Sequence, residues 1–173
     1  LLHRNGPAEE GKTVSMISLA APKEAKKAYD KGIEGLKKKK YEDAQKNFEK
    51  AVEVYPKFAT AWYELGMLQA NQGKMDMARK YFETALENDP KFIRPYLQLS
   101  VLALQAQKWQ ELAAVTDKTV KLDPFDYPQA FFFNSVANYN MQRFDAAEKS
   151  ALEAERLDTR HQLPKNSHLL GTI

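Results

Sequence analysis

Apolar and small residues return along this chain at a fixed step. Trp62, Tyr96 and Phe131 occupy one site of a repeating pattern and Tyr41, Met75, Trp109 and Phe144 another, the fourth copy being displaced by one extra residue near Tyr127. Small residues keep a step of 34: Gly32, Gly66 and Ser100 form one series, Ala44 and Ala78 a second, Ala51 and Ala85 a third, with Phe48 and Phe82 alongside. Pro56, Pro90 and Pro124 punctuate the chain at the same interval, and Asp89-Pro90, Asp123-Pro124 and Asp158-Thr159 recur as helix stops. A self-similarity of about 20 to 50 residues decides architecture before local propensity does.

The pattern predicts antiparallel helix pairs over about 23–38 and 41–55, 58–72 and 75–88, 92–106 and 109–122, and 127–140 and 144–157, with a further helix from about 164. Two helices of a hairpin approach closely only where side chains are small, so Gly or Ser on the first should face Ala on the second, as Gly66 and Ala78 are expected to do. Proline after aspartate ends the second helix, because it lacks an N–H and disfavours helical geometry in the residue before it. Each hairpin then buries its face only against the next.

Trp62, Leu65, Gly66, Gly73, Ala78, Phe82, Ala85 and Pro90 together resemble the tetratricopeptide repeat signature. Gly32, Tyr41, Ala44, Phe48, Ala51 and Pro56 form a similar copy, with Ala28 in place of the usual large aromatic. The third copy keeps Tyr96, Leu99, Trp109, Leu122 and Pro124 but puts Leu112, Thr116 and Thr119 where Ala, an aromatic and Ala are usual, so its packing is expected to be looser or shifted. The fourth keeps Phe131, Phe144, Ala147, Ala154 and Leu157, and a fifth begins at Pro164 with Leu170-Gly171.

The resemblance implies an all-α, right-handed superhelical solenoid over residues 23–173, with repeats at about 25–58, 59–92, 93–127 and 128–163 and a partial one at 164–173. The chain starts at Leu1 rather than Met and stops in mid-pattern, and is read as a fragment of a larger protein of this kind. Neither end carries an evident polar cover, and the last helix, with Leu169, Leu170 and Ile173, is a candidate self-association surface.

Residues 1–22 stand outside the repeat as a linker or an extended arm, and Thr13 to Leu19 have β-branched, strand-like character. Gly6-Pro7-Ala8-Glu9-Glu10-Gly11-Lys12-Thr13 matches the spelling of a nucleotide-binding P-loop. Its context argues against that chemistry. No apolar strand precedes it, Pro22 closes the Ser-rich segment after it, and Glu9 and Glu10 would repel phosphate.

Composition excludes further classes. Of 173 residues 43% are hydrophobic and 28% charged, a profile that folds, and the net charge of +3 falls short of the clustered basicity of a nucleic-acid binder. Without cysteine there is no disulfide, thiolate metal site or cysteine nucleophile, and the absence fits either redox compartment. The histidines, His3, His161 and His168, lack metal-ligand spacing, and no carboxylate pair has the makings of a tuned acid and base. No run of apolar residues is long enough to span a membrane. No enzyme activity, metal or cofactor is expected. Lys37 to Lys40 read as a solvated helix end complementing the macrodipole, the alternative being a dock for an acidic segment or phosphate surface.

Within the resemblance, the first helix of each hairpin lines the concave face. By register its inner positions are Lys26, Tyr29, Ile33 and Lys37; Thr60, Tyr63, Met67 and Asn71; Arg94, Leu97, Val101 and Gln105; and Gln129, Phe132, Val136 and Asn140. Tyr29, Ile33, Tyr63, Met67, Leu97, Val101, Phe132 and Val136 make an apolar stripe flanked by Arg94, Asn140 and other basic and amide residues, and the Tyr/Leu/Phe row is taken as its more open part. The two-carboxylate clamp of cochaperone relatives is absent: Tyr29 and Ile33 replace its first Lys and Asn, Glu64 its second Asn, and Arg94 alone remains. The expected partner is therefore an apolar or amphipathic peptide or protein rather than a chain terminus or an RNA. Self-association, and regulation of an enzyme lying outside these residues, are the alternatives.

Overall fold

In a computed structural model the described residues are 15–159 and Leu163. They form a short helix, α1 (Met16–Leu19), and four antiparallel hairpins: α2 (Lys23–Lys37) with α3 (Tyr41–Val54), α4 (Ala59–Asn71) with α5 (Met75–Asn88), α6 (Ile93–Gln105) with α7 (Trp109–Leu122), and α8 (Pro128–Asn140) with α9 (Phe144–Leu157). The hairpin helices begin and end within a residue of the ranges read from the repeat. The architecture is an all-α solenoid. The P-loop look-alike, the histidines, the fifth repeat and the apolar C-terminal helix lie outside the described residues.

The four tight turns are copies of one another. Lys39, Gly73, Gln107 and Gln142 adopt positive φ, and the next residue, Lys40, Lys74, Lys108 or Arg143, donates its N–H back to Gly35, Gln69, Ala103 or Asn138 at 2.8–2.9 Å. This is the left-handed closure that satisfies the last carbonyls of a helix. Lys40 is thus one of four equivalent cations, and Lys38 pairs with Glu34 at 2.6 Å, which accounts for much of the lysine run as helix termination.

At the other end of each hairpin, the proline turn is held by the large residue of the following helix. The Trp62 indole donates to the Pro56 carbonyl at 2.7 Å and the Tyr96 hydroxyl to the Pro90 carbonyl at 3.2 Å. Trp62 also stacks on Tyr81 of the helix after it. In the first hairpin the same site holds Ala28, buried in a core cluster with Ala25, Ala44 and Phe48, and Lys23, Glu24, Lys27, Lys31, Asn47 and Lys50 lie around it on the surface.

One expectation is sharpened and one corrected. A side-chain carbon on Gly66 would meet the Phe82 ring at 2.5 Å, and one on Gly32 the Phe48 ring at 2.4 Å, so these glycines make room for an aromatic ring of the returning helix. One turn on, a side-chain carbon on Gly35 would meet Ala44 at 3.1 Å, a close approach of two small residues across the hairpin. The segment read as strand-like supplies α1 instead: the Ser15 hydroxyl caps it by accepting from Ser18 N–H, and local capping outweighs the β-branched composition.

Helix α1 lies against the repeat-to-repeat turns. The Ser15 hydroxyl donates to Asp89 at 2.5 Å, the Ser18 hydroxyl accepts from the Thr60 N–H at 3.1 Å, and Lys26 donates to the Leu19 carbonyl at 2.7 Å.

Candidate functional site

The first helices of the hairpins, α2, α4, α6 and α8, carry every residue of the stripe, at two positions one helical turn apart. The first position joins one hairpin to the next. Tyr29 packs its ring 5.1 Å from Phe58, Tyr63 packs 5.6 Å from Phe92, and Leu97 packs among Ile93, Tyr127 and Ala130. Phe58, Phe92 and Tyr127 immediately precede successive first helices and are all buried. They recur on the same repeat step and were the missed signal in the sequence. Tyr63, only 3% exposed and also set against Phe82, is core rather than open floor. Tyr29, Leu97 and Phe132 remain half-buried, the last with its ring 5.9 Å from Phe133.

At the second position Ile33, Met67, Val101 and Val136 are all half-buried. This row keeps accessible apolar surface in every hairpin, so the more continuous part of the stripe is the aliphatic row, opposite to the expectation. Asn140 is exposed at the end of α8, and its amide donates to the Val136 carbonyl at 2.8 Å, tying it to its own helix.

A polar cluster interrupts the stripe between α2, α4 and α6. The Arg94 guanidinium lies 4.3 Å from the Tyr63 ring centroid and 3.8 Å from the Glu64 carboxylate. Cation–π stacking of Arg94 on Tyr63 holds this arrangement together. Burial pushes the Glu64 carboxyl above its ordinary range, with Arg94 opposing the shift. Burial likewise raises both Tyr29 and Tyr63, so these hydroxyls stay protonated at any ordinary pH. Among the described residues no group of three or more His, Cys, Asp or Glu is placed to hold a metal ion, and no helix is long and apolar enough to cross a membrane.

Residues 29–91 match the tetratricopeptide repeat family model. These residues belong to the tetratricopeptide repeat family. Solved structures of similar fold include MamA residues 41 to the end from Desulfovibrio magneticus RS-1, at 17% identity and TM-score 0.69 over 80% of this chain and 78% of that one. Pseudomonas aeruginosa PilF aligns at 17% identity and TM-score 0.70, covering 85% of this chain and 66% of that one. YrrB, described as a TPR protein with an unusual peptide-binding site, aligns at 19% identity and TM-score 0.66 over 86% and 75%. At such identities the likeness establishes the fold alone. Comparison with the curated proteins gave no significant match. Tetratricopeptide repeats are in general non-catalytic scaffolds for protein–protein interaction.

Proposed function

We propose that this tetratricopeptide-repeat chain binds an apolar or amphipathic peptide, or a segment of a partner protein, along the face formed by α2, α4, α6 and α8. The observation carrying the reading is the row Ile33, Met67, Val101 and Val136: four aliphatic side chains, one per hairpin, still only partly buried after the solenoid has packed. An extended partner crossing successive hairpins would meet one such residue in each and remove it from water, which is the main source of affinity at a groove of this kind. Leu97 and Phe132 widen the row, and Arg94 and Asn140 border it. The peptide-binding site of YrrB, a protein of like fold, is consistent with this use of the architecture.

The test starts from a random peptide library displayed against the folded chain. Affinity of the best binder is then measured for Phe132→Ala, Val101→Ala, Arg94→Ala and a variant with Lys37 to Lys40 changed to Gln. Truncating a large residue in a desolvated centre is expected to cost about 2 kcal/mol, whereas rim charges mainly alter association rate and salt dependence. If the lysine variant loses binding while Phe132→Ala and Val101→Ala retain it, the binding face is an acidic-partner patch on the first hairpin and the groove reading fails.

A further inference from the structure

The stripe is apolar except where Glu64 and Arg94 meet, and those two charges are not fully used by the fold. Their separation of 3.8 Å is a charge contact beyond hydrogen-bond distance. No hydrogen bond reaches the Glu64 carboxylate or the Tyr29 hydroxyl among the described residues. Both charges remain reachable, the Glu64 side chain keeping 11% of its surface and Arg94 37%. A buried carboxylate without hydrogen bonds is costly, and a ligand that supplies one gains what the fold leaves undone.

Charge balance limits which ligand that is. The pair is neutral as a unit, so an anion drawn to Arg94 is repelled by Glu64, and a cation drawn to Glu64 is repelled by Arg94. A carboxamide suits both at once: its N–H donates to the carboxylate while its C=O accepts from the guanidinium, and it brings no net charge into a half-buried place. The spacing of the pair lets one planar amide face both groups. Arg94 is held against Tyr63 by stacking, which keeps its remaining N–H groups fixed in direction.

We propose that Glu64 and Arg94, with Tyr29 beside them, form a carboxamide-reading subsite within the groove, selecting a partner that presents an Asn or Gln side chain or a free main-chain amide amid its apolar residues. This rests on the groove reading above. The two sources of the amide share the chemistry and are separated by experiment.

The probe is the best display-selected peptide, synthesised with the position that governs affinity varied through Asn, Gln, Asp, Glu, Lys, Arg and Ala, and separately with its backbone N-methylated at each position. All are measured against wild type, Glu64→Gln and Arg94→Gln, with folding checked by circular dichroism. The wild type is expected to favour Asn or Gln over either charge by about tenfold, the worth of one well-made hydrogen bond to a charged group. Glu64→Gln should then shift preference toward Asp and Glu, and Arg94→Gln toward Lys and Arg. If the subsite reads a main-chain amide, one N-methylation costs about as much in wild type and much less in Glu64→Gln.

Equal binding of all seven side chains with no sensitive N-methylation overturns the proposal. So does a wild-type preference for acids that only Arg94→Gln removes, which would make Arg94 a plain anion site. Peptides whose binding ignores Phe132→Ala and Val101→Ala sink the groove reading itself. Loss in those variants together with indifference to Glu64→Gln and Arg94→Gln sinks only the subsite.

Discussion

The first two hairpins and the last two solve the same packing problem with different chemistry. In the first pair a glycine on the leading helix lets a phenylalanine ring of the returning helix lie against bare backbone, Gly32 with Phe48 and Gly66 with Phe82, all four residues buried. At the equivalent sites of the last pair stand Ser100 with Thr116 and Ser135 with Ala151, again fully buried. Removing a ring and adding hydroxyls replaces dispersion with hydrogen bonding. Ser100 donates to the Tyr96 carbonyl, Ser135 to the Phe132 carbonyl and Thr116 to the Leu112 carbonyl, at 2.7–2.8 Å.

The lost volume also changes which helices hold together. Helices α6 and α7 touch less extensively than the partners of the other hairpins, while α7 packs more closely on α8 than α3 does on α4 or α5 on α6. Asn134 sits at that junction. Its amide nitrogen donates to Thr116 and Asp117 of α7 at 2.9 and 2.8 Å, and its oxygen accepts from Asn138 and from Ser150 of α9, both at 2.8 Å. One satisfied carboxamide therefore bolts three helices, and the packing expected to be loose or shifted is shifted. The aromatic half has no such network and leaves Gln69 with its side-chain oxygen unpartnered among the described residues. Aromatic packing there concentrates stability within each hairpin, and the amide network spreads it across a repeat boundary.

The sharpest way to break the comparison is to fill a glycine. Gly66→Leu should destabilise by about 3 kcal/mol or more in urea unfolding, because the added carbon falls on the Phe82 ring. Ser100→Leu should cost less, since Thr116 opposite it is smaller than a ring; equal costs would show that the two halves pack alike. Next in size, Asn134→Ala should lose about 1–3 kcal/mol by stranding its four partners. Asn134→Leu combined with Thr116→Val should recover part of that, as paired apolar replacement removes the unmet polar groups.

A smaller effect distinguishes the groove side of the aromatic half. The folded Glu64 carboxyl titrates above its unfolded value, so its contribution is fully present below the unfolded pKa and is lost as pH rises through the folded one. Glu64→Gln should therefore unfold at higher urea than wild type at pH 7, with the difference vanishing in acid; a gap that widens on acidification contradicts the burial argument. The smallest change treats both halves equally. Gln107→Gly and Lys39→Gly should each stabilise by about 0.5–1 kcal/mol, relieving positive φ as Gly73 already does.

The fold was legible because its determinants are local and repeated. Pro56, Pro90 and Pro124 with the Gly and Ala series give the helix boundaries, and each copy checks the others. The ring that lies on each glycine was not legible, since which side chain of the returning helix covers Gly66 depends on small differences in helix rotation that no single spacing fixes. At the groove the burial of Tyr63, which carries Arg94 on its ring, depends on Phe92 from the next turn. Glu64 was visible only as a departure from the clamp pattern; its approach to Arg94 joins one hairpin to the next and follows from how successive hairpins stack, which a sequence does not state.

The central claim, that partners bind along the leading helices, is tested most directly by methyl nuclear magnetic resonance during titration with the best display-selected peptide. The account predicts shifts at Met67, Leu97, Val101 and Val136 that saturate together, while Met77 and Leu152, exposed on returning helices, stay where they are. Saturable shifts confined to Met77 and Leu152, with the four groove methyls unmoved, would contradict it.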